Sequence, residues 1–152
     1  MLFFSDGEPF ATGSIECELR PFEQEDNNRI FIPVAILEQE TNAVLDTGGI
    51  YCILHPAIAE LTEISQFDSI GNRRIAIRGT SYDGSLYKAD LEIYASSGNN
   101  LSQEVTVFVP DCTIEEWGDR PTFLGLSGCM QNIRFAFDPE NDKFYFSSLG
   151  ES

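Results

Sequence analysis

The chain has 152 residues, enough for one domain with a sizeable core. It is 42% apolar and carries 12 Phe, a globular rather than a disordered composition. Its 25 Asp and Glu stand against 9 Lys and Arg, a formal charge of -16, which excludes the basic surface that nucleic acid or an anionic membrane requires.

The first stretch, "MLFFSDGEPF", has one short apolar cluster, no basic leader region and no cleavage-site pattern, so it is not read as a signal peptide. No apolar run reaches bilayer-spanning length, and a cytoplasmic location is expected. Residues 1–28 read as an N-terminal extension of a single domain covering 1–152, with "SIECELRPF" (14–22) as an additional strand and "EQEDNN" (23–28) as a solvated loop. "RIFIPVAIL" (29–37) is β-branched and apolar, with Pro33 marking an edge or a bulge. "EQETN" (38–42) reads as a turn and "AVLD" as the returning strand, followed by a short strand at "YCIL". "HPAIAELTEI" (55–64) predicts a helix with Pro56 in its first turn and Ile58, Leu61 and Ile64 on one face. "RRIAIRG" (73–79) and "LYKADLEIY" (86–94) alternate like strands, with "TSYDGS" between them as a polar hairpin tip. "EVTVFVP" (104–110) and "TFLGL" (122–126) are further strands, and "SGCMQNI" is a helical turn. "RFAFDPENDKFYFSS" closes the chain as a hairpin with "DPEND" as its turn. The sum is an all-β fold with one or two short helices.

Cys17, Cys52, Cys112 and Cys129 are widely spaced, and His55 is the one histidine, so no metal-ligand spacing exists. A Cys52/His55 nucleophile pair lacks a third residue to orient it, and the thiols read as structural. Trp117 reads as a core residue, as large aromatics usually do.

"AVLDTGGIYCIL" (43–54) runs an apolar strand straight into a carboxylate and then into a tight turn. Val44 and Leu45 place Asp46 beside the core. Thr47 brings a hydroxyl, and Gly48 and Gly49 let another backbone approach. A carboxylate so held is a candidate general acid or base, and an Asx-turn at a strand end is the plainer alternative.

The order of these pieces resembles the retropepsin-like aspartic proteases, the single-domain, retroviral type. There an apolar pair precedes Asp-Thr-Gly, as in "AVLDTG". A short strand and a Pro-led helix follow, as in "YCILHPAIAEL". A flap hairpin comes next, matched by "RRIAIRGTSYDGSLYKADLEIY". An apolar-apolar-Gly element passes beneath the catalytic loop, matched by Phe123, Leu124 and Gly125. The resemblance spans residues 29–147, and its later half is similar to soluble prokaryotic members in which "FDP" precedes an aromatic closing strand. It implies a closed acid-protease barrel, no cofactor and no metal. It implies Asp46 as the catalytic carboxylate, Thr47 as its brace and Gly48 as the space for substrate backbone. Substrate contacts are implied at Gly49, Ile50, Ile77, Gly79, Thr80, Ser81, Tyr82, Phe123, Leu124 and Gly125. Gly49 stands where that family usually has Ala or Ser, which softens the loop without a clash.

Asp-Thr-Gly occurs once. Pepsin-like chemistry needs two carboxyls sharing one proton, so a single copy implies a homodimer with the two Asp46 side chains at its axis. The expected function is hydrolysis of peptide bonds in an extended polypeptide by water activated between them, best at acidic to mildly acidic pH. The alternative is a peptide-binding or dimerisation module with little catalysis, and a third reading is an unrelated barrel with a chance Asp-Thr-Gly.

Overall fold

The computed structural model describes residues 1–21 and 26–150. Its strands are β1 (Leu2–Phe3), β2 (Pro9–Ala11), β3 (Gly13–Glu16), β4 (Glu18–Arg20), β5 (Arg29–Ile36), β6 (Gln39–Leu45) and β7 (Cys52–Ile53). They continue with β8 (Gly71–Ile77), β9 (Thr80–Ile93), β10 (Ser97–Gly98), β11 (Leu101–Pro110), β12 (Thr122–Leu124), β13 (Ile133–Asp138) and β14 (Lys143–Ser148). The helices are α1 (Pro56–Thr62) and α2 (Ile114–Trp117), with 3-10 turns at Ile64–Gln66 and Met130–Asn132.

Strand order in the larger sheet is β4-β5-β6-β12-β7-β11-β9-β8, and β5 also pairs with β9 through Ala35↔Glu92 and Ile36↔Leu91. That last pairing closes β5, β6, β12, β7, β11 and β9 into a barrel, with β4 and β8 attached outside the ring. Closure pairs the two ends of the six-strand ring, and β4 and β8 remain as edge strands. A second sheet, β10-β3-β14-β13, packs on the barrel through Phe144 and Phe146.

The barrel strands are buried on both faces, which is why they read as continuous apolar runs rather than clean alternation. Ile32, Ala43, Cys52, Tyr87, Val107 and Leu124 face one core, shared with the second sheet. Their immediate neighbours Phe31, Val44, Ile53, Leu86, Phe108 and Phe123 face another, shared with Ile75 and Ile77 of β8 and Trp117 of α2. Successive side chains on a strand point to opposite faces, so each strand serves both cores. Pro33 is exposed and falls between the stretches where β5 pairs with β4 (29–31) and with β9 (35–36), so its missing N–H leaves no gap in a ladder.

Four sequence expectations need correcting. The turn after β5 is not "EQETN" but Leu37-Glu38, both with positive φ (48 and 70), and Gln39–Asn42 belong to β6. The tip of the β8–β9 hairpin is Arg78-Gly79 (φ 55 and 83), and "TSYDGS" lies inside β9, paired residue for residue with β8. Two consecutive positive-φ residues make the tight turn that matches strand twist. The apolar face expected for α1 breaks because Glu63 (φ 55) ends the helix, which puts Ile64 in the next element and leaves Leu61 65% exposed. The "SIECELRPF" strand is two strands, β3 and β4, interrupted at Cys17, and of the loop expected over 23–28 residues 23–25 lie outside the described residues.

Other expectations hold. Pro56 opens α1, Trp117 is 1% exposed, and Asp138 organises the last turn by accepting from the Glu140 backbone N–H (2.9 Å). Helix α2 was not foreseen. Its signal is present in the sequence as a capping box: Thr113 Oγ1 accepts from the Glu116 N–H while Glu116 Oε1 accepts from the Thr113 N–H.

Candidate active site

Asp46 follows directly on β6. Its backbone N–H donates to the Leu124 carbonyl (2.9 Å), continuing the parallel pairing of β6 with β12 by one residue. The chain then turns, with the Gly49 N–H donating back to the Asp46 carbonyl (3.0 Å). Residues 49–51 lie against 125–127: the Gly125 N–H donates to the Tyr51 carbonyl (2.8 Å), the Leu126 N–H to Gly49 (2.9 Å), and the Tyr51 N–H to Ser127 (2.9 Å). The Asp46 loop is thus laced on one side to a stretch remote in sequence.

That lacing explains the glycine after β12. A Cβ on Gly125 would stand 2.3 Å from the Tyr51 carbonyl oxygen and 2.9 Å from the Gly49 carbonyl carbon. Backbone meets backbone there, and no side chain fits. Gly49 has a subtler reason. A Cβ on it would approach Asp46 Oδ2 to 3.2 Å, in keeping with the expectation that Gly49 introduces no clash. Glycine keeps the carboxylate clear of that contact.

Asp46 is half-buried, whereas Thr47 and Gly48 are exposed. In front of the carboxylate lies a cleft of about 460 Å³ between the loop and the β8 arm of the hairpin. Asp46, Gly48, Gly49, Ile50, Ile77 and Phe123, all expected at the site, line it. Ile53, Arg74, Ile75, Ala76 and Arg78 line it too and were not anticipated, because the hairpin tip had been placed beyond Gly79 rather than at Arg78. Gly79, Thr80, Ser81, Tyr82, Leu124 and Gly125 are not among the lining residues. Leu124 and Gly125 act from beneath, through their backbone.

Tyr82 departs most from expectation. It is neither over the cleft nor an exposed turn residue but 8% exposed, its ring 5.6 Å from that of Trp117. Arg120 donates to its hydroxyl, and the Trp117 indole N–H donates to the Arg120 carbonyl (2.7 Å). Asp83, within the stretch expected as the hairpin tip, pairs across the strands with Arg74 (3.2 Å).

No Cys/His nucleophile pair exists. Burial holds the Cys52 thiol well above its ordinary 9.0 and pushes Cys129 up to about 12. His55 Nδ1 accepts from the Ala57 N–H (3.0 Å) as the N-cap of α1, and its own backbone N–H donates to Thr122 Oγ1 (3.1 Å). Among the described residues, no group of three or more His, Cys, Asp or Glu is placed to hold a metal ion. No helix among them is long and apolar enough to cross a membrane.

The His55 cap carries a pH prediction. Desolvation lowers the ring's pKa below its ordinary 6.5. A depressed histidine favours folding while neutral, and that contribution is lost as pH falls through the folded-state value. Protonation also replaces the capping acceptor with a donor. The drop in melting temperature from about pH 7 to about pH 5 should therefore be smaller in His55→Asn, which keeps an acceptor at the cap, than in the wild type. An equal or larger drop in the variant removes the assignment.

Comparison with known proteins agrees with the architecture. No family model and no curated protein matches the sequence. Among solved structures, a retropepsin-like aspartic protease from Rickettsia conorii is similar with a TM-score of 0.55 and 15% identity, over 89% of this chain and 90% of that one. The retroviral protease-like domain of Ddi1 from Leishmania major aligns with a TM-score of 0.48 and 13% identity, over 82% and 98% of the two chains. The closed barrel, the glycine-backed aspartate loop and the hairpin beside it give this chain the all-β retropepsin-like fold.

Proposed function

We propose that the chain is an aspartic endopeptidase that works as a homodimer. The observation that carries this reading is the setting of Asp46: a half-buried carboxylate on a loop braced by Gly125–Ser127, opening into a cleft between that loop and a hairpin. One aspartate of this kind is half of a proton-sharing pair, and a two-fold axis supplies the other half from an identical chain. The surroundings favour such pairing. Ile50 is 45% exposed and Leu126 40%, on hydrogen-bonded neighbouring loop segments beside Asp46, an apolar rim whose burial would stabilise association.

In the dimer the ionised carboxyl removes a proton from a water lying between the two. The water attacks the substrate carbonyl, and the protonated carboxyl donates to the developing oxygen. No covalent intermediate forms. Thr47 braces the pair across the axis, and Gly48 leaves room for an extended substrate. The β8–β9 hairpin acts as the flap, closing over the substrate and excluding water.

Dilution tests the dimer. With monomer dominant, dimer concentration follows the square of total protein, so specific activity against an extended peptide library at about pH 4–6 should rise in proportion to protein concentration before levelling off. Light scattering should show the dimer over the same range. Specific activity independent of concentration, in a protein that scatters as a monomer, rules the arrangement out.

A further inference from the structure

The few cations of this acidic chain are unevenly placed. Of its 9 Lys and Arg, Arg73, Arg74 and Arg78 all fall on β8 and the turn that follows it. Alternation along β8 turns Ile75 and Ile77 into the core and leaves Arg74, Ala76 and Arg78 exposed. Arg74 and Arg78 line the same cleft as Asp46. Arg78 is exposed on a left-handed backbone (φ 55), a conformation disfavoured for any residue with a Cβ. Arg74 bonds Asp83 at 3.2 Å, but those side chains are 68% and 67% exposed, so the pair is weak and its carboxylate exchangeable.

We propose that Arg74 and Arg78 form a specificity element that selects extended polypeptides carrying Asp or Glu close to the bond presented to Asp46. The proposal rests on the peptidase reading above and names its substrate class. A strand-like substrate advances about 3.3 Å per residue with alternate side chains on one side, so a carboxylate one or two positions from the reacting bond stays within the cleft. A guanidinium binds a carboxylate through paired N–H donors. Elsewhere the chain is strongly negative, so an acidic polypeptide is repelled unless its charge falls in register with the arginines.

The test uses binding, which does not require turnover. A fluorescent, otherwise uncharged octapeptide carries one Glu walked through every position, with Gln and Lys twins, and is titrated into full-length Asp46→Asn protein. At about pH 6, where Glu is ionised, the Glu peptide should bind about fivefold more tightly than its Gln twin at one or two positions, and the Lys twin more weakly than either. The preference should shrink at about pH 4 and in about 0.5 M salt. It should vanish in Arg74→Gln/Arg78→Gln and turn toward Lys in Arg74→Glu/Arg78→Glu. Equal affinity for Glu and Gln at every position, no measurable binding of Glu peptides, or a preference that survives the double Gln variant overturns the proposal. Wild-type protein that prefers Glu yet hydrolyses no peptide defeats the peptidase reading and leaves the selectivity standing. Hydrolysis indifferent to Glu does the reverse.

Discussion

Asp46→Asn is expected to lower peptide hydrolysis by about 10³-fold, the scale of losing a positioned acid–base group, and to leave the fold intact. The substitution keeps the shape of the side chain and removes its capacity to ionise. Asp46 is half-buried at a loop, its structural bonds come from its backbone, and Gly49 leaves room around its carboxyl. The melting temperature should therefore hardly move. A mixing experiment sharpens the result. When equal amounts of wild type and variant exchange subunits freely, a two-fold site keeps only the pairs with two aspartates, about a quarter of the total, so activity should fall to about a quarter. A site complete within one chain would instead retain about half. Loss of less than tenfold in the pure variant defeats the catalytic assignment of Asp46.

Gly125→Ala is expected to destabilise the protein at the site itself. The added methyl would overlap the Tyr51 carbonyl oxygen and the backbone at Ile50 and Gly49. These atoms belong to a segment already bonded to 125–127 on the same side, so it cannot retreat without breaking the ladder. Overpacking against backbone is expected to cost about 3 kcal/mol, or a drop of about 10 °C in melting temperature for a domain of this size. Activity should fall further than stability alone explains at temperatures where the variant is still folded, because the displaced loop is the one that carries Asp46. An unchanged melting temperature defeats the close-packing account.

Much of the barrel was legible because its strands have to satisfy two cores at once. "RIFIPVAIL", "EVTVFVP" and "TFLGL" are apolar on successive residues, and only a strand buried on both faces, or a buried helix, needs that. Asp46 was legible because a carboxylate at the end of such a strand, followed by Thr-Gly-Gly, breaks the pattern in a way packing does not require. The turns were harder. Leu37-Glu38 has neither Gly nor Asn to announce a left-handed turn, and its positive φ values are imposed by the pairing of Ile36 with Gln39. Around the hairpin two turn signals compete, Arg78-Gly79 and Asp83-Gly84. Tertiary packing chose the first, since burial of Tyr82 against Trp117 requires "TSYDGS" to be strand. That choice moved two arginines to the rim of the cleft and took Tyr82 away from it.

Parallel pairing of β6 with β12 and the bonds from Leu124–Ser127 to the Asp46 loop have a consequence for biosynthesis. While the ribosome has released only the first hundred residues, the Asp-Thr-Gly turn is present but has nothing beneath it. Its geometry is set when the stretch around Gly125 emerges and threads alongside. Contacts so remote along the chain form late and slowly. A growing polypeptide therefore carries no formed Asp46 loop until the stretch around Gly125 has left the ribosome.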